Sequence, residues 1–271
     1  MKIDELYKIY LQQPHVQTDT RKLQVGDLYF ALKGANFNGN QFAKQALDMG
    51  ASYAIIDDED YYVNEKTIVV PDGLKCLQAL ALFHRKQFDI PFIAITGSNG
   101  KTTTKELIHT VLKSKYITYA TEGNLNNHIG VPLTILKIRK DAEIAIIEMG
   151  ANHQQEIKSY CEIALPTHGI INNCGKAHLE GFGGIEGVKK GKGELYDFIR
   201  TSEGTIFINA DYDYLKDMAK DIQHQISYGS YQADFMGKIV SNQPFLQVAI
   251  LNHQKECLIK THLVGEYNFP N

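Results

Sequence analysis

A glycine-containing segment near residue 100 has the residue types of a phosphate-binding loop. The apolar run at 92–96 leads into Gly-Ser-Asn-Gly-Lys-Thr at 97–102, and helical periodicity follows over 101–113. Glycines let backbone N–H groups converge on phosphate oxygens, and a helix N-terminus adds positive potential. We therefore predict that Lys101 reaches the phosphates of a nucleotide and that the Thr102 hydroxyl ligates Mg²⁺. Two residues separate Gly97 from Gly100, whereas four separate the glycines of the usual phosphate-binding loop. The alternative interpretation is an ordinary strand–turn–helix connection.

Two further segments follow apolar runs and carry groups that suit a metal-bound nucleotide. Glu148 ends the run that begins at Ile144, and side chains at the carboxyl ends of parallel strands gather at one edge of an open sheet. Its carboxylate could hold Mg²⁺ directly or through water; the alternative is a solvated loop carboxylate. His178 follows the run at 169–171 and could bind metal or substrate, although a single histidine is more often an ordinary surface or core residue.

The segment TEGNLNNHIGVP at 121–132 is rich in side-chain amides. Asn126 and Asn127 could hydrogen-bond a polar ligand such as a sugar or a phosphate, because each amide both donates and accepts. The alternative is a loop followed by an Asn-capped helix.

The rhythm of the chain predicts the elements that position these residues. Apolar runs at 92–96, 144–147, 169–171 and 205–208 alternate with helical periodicity at 101–113, 154–164 and 185–199. Continuously apolar strands that alternate with helices indicate βαβ units in a parallel sheet covered on both faces, so the predicted fold class is α/β. From about Asp234 the runs become short and alternating, which favours an antiparallel ribbon.

A break in the pattern predicts two domains. Residues 1–88 mix helix and strand signals, and Phe88-Asp-Ile-Pro91 interrupts them. The length of 271 residues suits two ordinary domains, which we place at 1–88 and 89–271.

Composition and charge exclude several classes of protein. The chain has 28 Lys and Arg against 31 Asp and Glu, a net charge of −3, and no basic block, which argues against a nucleic-acid partner. No apolar run approaches the roughly 20 residues that span a membrane, and the N-terminus has acidic residues where a signal peptide has its apolar core. We expect a cytoplasmic monomer. Four scattered cysteines without a C-x-x-C pair predict reduced core thiols.

Taken in order, these segments resemble the Mur ligases of peptidoglycan synthesis. The resemblance rests on TGSNGKTTTKE, GNLNNHIGVPLT, IIEMGANHQQEI, NCGKAHLEGFGG and KGKGELY, and nearer the N-terminus on TDTR and GDLYFALKGANFNGNQF. It covers almost the whole chain, and the short phosphate loop is itself of the Mur type. It implies a small N-terminal α/β domain that binds UDP, followed by a mostly parallel central ATP-binding domain with a phosphate loop.

The resemblance also implies roles for individual residues. The ATP loop would comprise Gly97, Ser98, Asn99, Gly100, Lys101, Thr102 and Thr103, with Asn268 and Asn271 near adenine. Thr102, Glu148, His178 and Lys192 would serve magnesium, and Lys101, Lys192, His178 and Glu148 would be the catalytic residues. Lys192 would be carbamylated, since a carbamate supplies anionic oxygens where an ammonium is repelled; a surface lysine is the alternative. Thr20 and Arg21 would face the uridine nucleotide, and Asn126 and Asn127 the phosphates and muramoyl substrate.

Within the family, GNLNN followed by IGVPLT points to the member that adds D-alanyl-D-alanine. The resemblance implies an ADP-forming ligase that uses ATP and Mg²⁺ to join D-alanyl-D-alanine to UDP-N-acetylmuramoyl-tripeptide through an acyl phosphate. A folylpolyglutamate synthetase or a non-catalytic nucleotide-binding protein is the alternative. Family members continue with a C-terminal Rossmann-like domain, which this chain is expected to lack because it stops at a helix-start signal, Asn268-Phe-Pro-Asn271. Alone, the fragment is expected to be inactive.

Overall fold

The structure is a computed structural model that describes residues 1–252 and 255–271. As far as residue 141, its elements are α1 (Ile3–Gln12), β1 (Val16–Gln17), β2 (Leu28–Phe30), β3 (Lys33–Gly34), β4 (Phe37–Asn38), α2 (Ala43–Asp48), β5 (Tyr53–Ile56), β6 (Thr67–Val69), α3 (Gly73–Arg85), β7 (Phe92–Thr96), α4 (Lys101–Leu112), β8 (Thr118–Ala120) and α5 (Gly130–Leu136). They are followed by β9 (Ile144–Glu148), α6 (Glu156–Ala164), β10 (His168–Ile171), α7 (Leu179–Phe182), α8 (Ile185–Thr201), β11 (Thr205–Asn209), α9 (Asp213–Met218), β12 (His224–Gly229), β13 (Phe235–Ser241), β14 (Gln247–Asn252) and β15 (Lys255–Lys260).

The chain divides into two compact units. Unit 1 comprises Met1–Asp89, Glu122–Asp141 and Glu162–Ala164, and unit 2 comprises Ile90–Thr121, Ala142–Cys161 and Leu165–Asn271. The first boundary falls where the sequence pattern breaks. The two later segments of unit 1 carry no such signal, because their membership depends on packing between residues distant in the chain. The functional division into domains 1–88 and 89–271 stays a prediction.

Unit 1 is built on a parallel sheet with the strand order β1-β2-β5-β6. Tyr29 of β2 and Ile56 of β5 belong to one buried cluster with Ala43 and Ala46 of α2. The small alanine side chains let α2 lie close to the sheet. Among the other helices of unit 1, α3 packs against both α1 and α5.

A buried histidine joins distant parts of unit 1. His84 on α3 is 5% exposed, and its ring nitrogens contact the Tyr7 hydroxyl (3.0 Å) and the Ile138 carbonyl oxygen (2.9 Å). Burial lowers the pKa of His84; the hydrogen bond to Ile138 opposes this shift, and the charge of Arg139 adds to it. The neutral ring is therefore the form that this packing stabilises.

We expect mildly acidic pH to destabilise the fold through His84. The unfolded chain takes up this proton near pH 6.5, before the folded chain does. The free energy of unfolding therefore falls as the pH drops below about 6.5 and through the lower pKa of the folded state. Thermal unfolding at pH 7.5 and 5.5 should show a larger loss of stability in the wild type than in His84→Gln, whose side chain does not titrate. Equal losses would contradict this role.

Unit 2 contains a larger sheet with the strand order β15-β14-β13-β12-β11-β10-β7-β9-β8. Every pairing from β8 to β13 is parallel, whereas β14 pairs antiparallel with both β13 and β15. Strands β7 and β9 are buried at every residue, as continuous apolar runs predict. The α/β class, the mostly parallel sheet and the antiparallel ribbon are thus confirmed.

The register of three neighbouring strands assembles the candidate site. Ile95 of β7 pairs with Glu148 of β9, and Thr96 pairs with Ile171 of β10, so the three strands end at one edge of the sheet. The loops that leave this edge carry the glycine segment and residues 149–155 and 172–178. The predicted gathering of polar groups at the carboxyl ends of the strands is therefore present in unit 2.

Some features differ from the sequence analysis. The short elements β8, β12 and α9 were not predicted, because a few residues with mixed polarity give no readable period. Cys257 on β15 is exposed, so the prediction of a core thiol is wrong there, whereas Cys161 and Cys174 are buried.

Over the described residues, no helix combines the length and the apolar character needed to cross a membrane.

Candidate active site

The glycine loop between β7 and α4 has a backbone that favours glycine. Gly100 has a φ of +80° and directly precedes α4. A Cβ on Gly100 would collide with the side chain of Asn271, and a Cβ on Gly97 would lie 3.0 Å from the Asn172 Cβ. Because neither position has room for a side chain, the loop keeps its backbone amides accessible at close range.

The start of α4 offers amide donors to an anion. The first N–H groups of a helix have no acceptor within it, and here the first return bond joins the Thr104 N–H to the Gly100 carbonyl oxygen (2.9 Å). The dipole of this twelve-residue helix adds positive potential at the same end. The loop and helix start therefore fit the phosphates of a nucleotide.

Lys101 lies over the glycine loop. Its ammonium group donates to the carbonyl oxygens of Gly97 (2.8 Å) and Ser98 (3.3 Å). Burial lowers the pKa of Lys101, and the nearby Glu148 carboxylate opposes that shift. A cation held by two neutral carbonyl groups can exchange them for phosphate oxygens, which are stronger partners for a charge.

Thr102 and Glu148 form a pair of oxygen donors. The Thr102 hydroxyl donates to Glu148 Oε1 over 3.1 Å, and Glu148 is 1% exposed at the end of β9. The alternative of a solvated loop carboxylate is therefore wrong. Magnesium takes hard oxygen ligands and is usually held by one or two carboxylates together with phosphate oxygens. This donor set fits a magnesium ion that arrives with a nucleotide.

Lys192 is buried, so the alternative of a surface lysine is wrong. It is 2% exposed on α8, and its ammonium group donates to the Ala151 carbonyl oxygen over 3.1 Å. Burial, and after it the positive charge of Lys101, lower the pKa of Lys192 to about 8. Cys174, Glu156 and Glu194 act in the opposite direction. A lysine with this pKa has a much larger neutral fraction near physiological pH than an ordinary lysine, although the charged form still predominates.

His178 is exposed at the residue before α7, with a φ of 54°. Across residues 1–252 and 255–271, no group of three or more His, Cys, Asp or Glu side chains is arranged to hold a metal. The Thr102–Glu148 pair would therefore need phosphate oxygens or water to complete a magnesium shell. A metal role for His178 stays a prediction.

Four of the predicted substrate residues belong to unit 1. Asn127 Oδ1 accepts from the N–H groups of Ile129 (3.1 Å) and Gly130 (2.8 Å), so it holds the turn that leads into α5. The N-cap residue of α5 is Ile129, which has no side-chain cap, so the alternative of an Asn-capped helix is not confirmed. Asn126, the preceding residue, is half-buried. Thr20 begins a 3₁₀ turn, Thr20–Lys22. The binding roles of Asn126, Asn127, Thr20 and Arg21 stay predictions.

Arg21 is exposed and oriented. Its guanidinium group donates to both carboxylate oxygens of Asp19, at 2.9 and 2.8 Å, while its side chain is 87% exposed. The hydrogen bonds from Arg21 lower the pKa of Asp19 to about 2. Because Nε and Nη2 already donate to Asp19, an anionic ligand such as a diphosphate would bind the remaining nitrogen of the guanidinium group or displace Asp19.

The C-terminal asparagines lie beside the glycine loop. Asn271 Oδ1 is 3.4 Å from both Thr104 Oγ1 and Asn172 Nδ2, and Asn271 Nδ2 donates to Asn268 Oδ1 over 3.2 Å. A cavity of about 160 Å³ is lined by Asn271 together with Tyr228 and Phe269. This position is compatible with the predicted role near a nucleotide base.

Sequence reasoning missed a contact that shapes the loop from below. The Asn173 carbonyl oxygen accepts the main-chain N–H of Ser98 (2.9 Å), and Asn173 Oδ1 accepts the main-chain N–H of Asn99 (3.0 Å). The Asn173 side-chain amide donates back to the Asn99 carbonyl oxygen. The Ser98 hydroxyl in turn bonds the backbone of Gly175. Paired asparagines after an apolar strand, Asn172-Asn173, were the available signal.

Comparison with known protein families agrees with this geometry. The model of the Mur ligase middle domain matches residues 95–271, and the model of the Mur ligase family, catalytic domain, matches residues 14–85. The chain belongs to the Mur ligase family.

Relatives within the family are similar over most of this chain. It is 36% identical to a UDP-N-acetylmuramoyl-tripeptide–D-alanyl-D-alanine ligase of Haemophilus influenzae, over 96% of the chain and 58% of that protein. The crystal structure of MurF from Acinetobacter baumannii is 31% identical with a TM-score of 0.83, over 94% of this chain and 57% of that one. MurF from Thermotoga maritima, solved in complex with ADP, is 28% identical with a TM-score of 0.82, over 92% and 58%. The chain thus spans little more than half the length of these relatives.

Proposed function

We propose that this chain forms part of a ligase that joins D-alanyl-D-alanine to UDP-N-acetylmuramoyl-tripeptide and converts ATP to ADP and phosphate. The ATP-dependent half of the reaction is supported by one observation: Lys101 and Thr102 at the start of α4 lie beside Glu148 at the end of β9. The acceptor and the dipeptide are supported by the name of the Haemophilus influenzae relative and by the extent of that likeness. The complex with ADP of the Thermotoga maritima relative supports the nucleotide.

The proposed reaction consists of two displacements. A terminal carboxylate oxygen of the tripeptide attacks the γ-phosphorus of ATP, and the bond to the β-phosphate oxygen breaks, which releases ADP and leaves an acyl phosphate. The amine of D-alanyl-D-alanine then attacks the acyl carbon. Phosphate departs with the bonding electron pair, and the amine loses a proton as the amide forms.

The chain's own residues hold and orient the reactants. Lys101 exchanges the loop carbonyls for phosphate oxygens, and its charge offsets the negative charge that develops on the transferred group. Thr102 and Glu148 would hold magnesium, with Lys192 as a carbamate and His178 completing the metal site. The magnesium supplies further positive charge to the phosphates when it is bound.

The remaining predicted residues place the two ends of the substrates. Asn268 and Asn271 lie near the base of the nucleotide, and Thr20 and Arg21 hold the uridine diphosphate, with Asn126 and Asn127 on the muramoyl side. In this proposal residues 1–88 are the UDP-muramoyl domain and residues 89–271 the ATP domain. The ligase acts as a cytoplasmic monomer.

Binding measurements distinguish this function from a folylpolyglutamate synthetase. In titration calorimetry with Mg·ADP present, the chain should bind UDP-N-acetylmuramoyl-tripeptide and should not bind folate. A hydrogen bond to a charged group contributes about 1.5–3 kcal/mol, so Arg21→Ala should weaken the UDP ligand by about tenfold or more. Lys66→Ala, which changes an exposed lysine of unit 1, is the matched control. Binding of folate in place of the UDP ligand would contradict the proposal.

A further inference from the structure

Unit 2 contains a buried lysine that the reaction leaves without a role. Lys105 lies one helical turn after Lys101 on α4, and its side chain is 1% exposed. Its ammonium group donates to the Thr121 carbonyl oxygen over 2.6 Å and pairs with Glu106 Oε1 at 2.7 Å. Burying an ammonium group costs free energy unless the group is paired and hydrogen-bonded. A lysine buried here therefore indicates a specific role for its contact with Thr121.

Thr121 connects this lysine to the metal-binding carboxylate. Thr121 follows the last residue of β8 and is 1% exposed, and its N–H donates to the Ile146 carbonyl oxygen over 3.0 Å. Its side-chain hydroxyl accepts the N–H of Glu148 over 2.9 Å. Because β8 ends at Ala120, this hydroxyl takes the place of a main-chain acceptor that a longer strand would have offered.

The contacts therefore form a continuous path from α4 to Glu148. Lys105 fixes the main chain of Thr121, Thr121 fixes the main chain of Glu148, and Glu148 Oε1 accepts from Thr102, which is also on α4. Both ends of the path begin on one rigid helix. The distance between the Glu148 carboxylate and the Thr102 hydroxyl is thus set from two sides.

We infer that Lys105 and Thr121 are positioning residues that hold Glu148 in register with Thr102 and so set the magnesium affinity of the nucleotide site. The inference rests on the proposed ATP site, and it adds residues that do not touch the nucleotide. Partners behind metal ligands typically change metal affinity by about 10–100-fold when they are removed. Thr121 acts on the main chain of Glu148, so we expect a change of about tenfold.

The test measures ADP binding by titration calorimetry across a series of Mg²⁺ concentrations. Thr121→Val removes the hydroxyl and keeps the side-chain shape, and it should raise the Mg²⁺ concentration for half-maximal tightening about tenfold. Thr121→Ser keeps the hydroxyl and should stay within about twofold of the wild type. Lys105→Met should shift the requirement in the same direction as Thr121→Val. If Thr121→Val does not fold, the measurement on Lys105→Met alone tests the inference.

Two control variants and one metal-free readout separate positioning from general loosening. Thr118→Val removes a hydroxyl of β8 that, within the described part of the chain, bonds only the Tyr116 carbonyl, and Lys113→Met changes an exposed lysine at the end of α4. Both should match the wild type. Without metal, amide exchange at Glu148 should be faster in Thr121→Val than in Thr121→Ser.

The outcomes are distinguishable. An unchanged Mg²⁺ requirement in a folded Thr121→Val or Lys105→Met protein, or an equal shift in Thr118→Val, would overturn the positioning role while leaving the ATP site intact. A wild-type chain that binds ADP without any magnesium dependence would instead refute the proposed metal site, and the inference with it.

Discussion

Replacing Lys101 by alanine is expected to lower the turnover of the full-length protein by at least about 10²- to 10³-fold, the usual cost of removing one preorganised electrostatic group. The ammonium group already lies over the loop, on the carbonyl oxygens of Gly97 and Ser98. In the proposed reaction the ammonium group exchanges these carbonyl oxygens for phosphate oxygens, and its positive charge stabilises the phosphoryl group that is being transferred. The two buried lysines among the described residues do not replace it, because Lys105 donates to Thr121 and Lys192 would be a carbamate in the proposed site.

The measurement is the steady-state release of phosphate, with the affinity for Mg·ADP as a second readout. Lys101→Ala should retain the circular dichroism spectrum of the wild type, since the hydrogen bonds of the ammonium group go to carbonyl oxygens of its own loop. Lys113→Ala, at the other end of α4, is the matched control and should be unaffected. A folded Lys101→Ala protein with wild-type turnover would refute the assignment of the loop.

Lys192→Ala is expected to abolish most activity in the same assay, and short carboxylates added to the buffer should restore part of it. Carbon dioxide adds only to a neutral amine, and burial lowers the pKa of Lys192 to about 8. At a fixed concentration of dissolved carbon dioxide, the neutral fraction, and with it the carbamate, should therefore increase as the pH rises through about 8. The carbamate would offer anionic oxygens to magnesium in a pocket from which water is largely excluded.

The pH and bicarbonate dependence of this effect provides its own check. Activity that requires the carbamate should rise with added bicarbonate in the wild type and should not respond to it in Lys192→Ala. Lys190→Ala, an exposed lysine two positions earlier on α8, is the matched control. Full activity of Lys192→Ala would show that this lysine serves only to hold the Ala151 main chain.

The parallel sheet of unit 2 was predictable because its strands are buried on both faces. Continuous apolar runs such as 144–147, when they alternate with helices, are typical of strands in a covered parallel sheet. The segment 122–141 was not assigned to unit 1, because Tyr10, His84 and Arg139 bring it there through contacts between residues more than 50 positions apart, such as Tyr10 with Leu136 and His84 with Ile138. No local period reports such contacts.

The residues of the candidate site were likewise predictable only where a local pattern reports them. Lys101, Thr102 and Glu148 were predictable from residue type and from their places at the ends of a strand and a helix. The burial of Lys192 was not, since KKGKGE looks like a solvated charge run. Thr121 and Asn173 were missed because their roles depend on which main-chain atoms lie opposite them, which only the register of the strands reveals.

The most direct measurement of the central claim is phosphate release by the full-length protein with UDP-N-acetylmuramoyl-tripeptide, ATP and Mg²⁺, with and without D-alanyl-D-alanine. The proposal predicts steady release only when all components are present, together with one new amide bond for each phosphate. It also predicts no release when folate and glutamate replace the two peptide substrates. Release that is independent of D-alanyl-D-alanine, or turnover with folate and glutamate, would contradict the account.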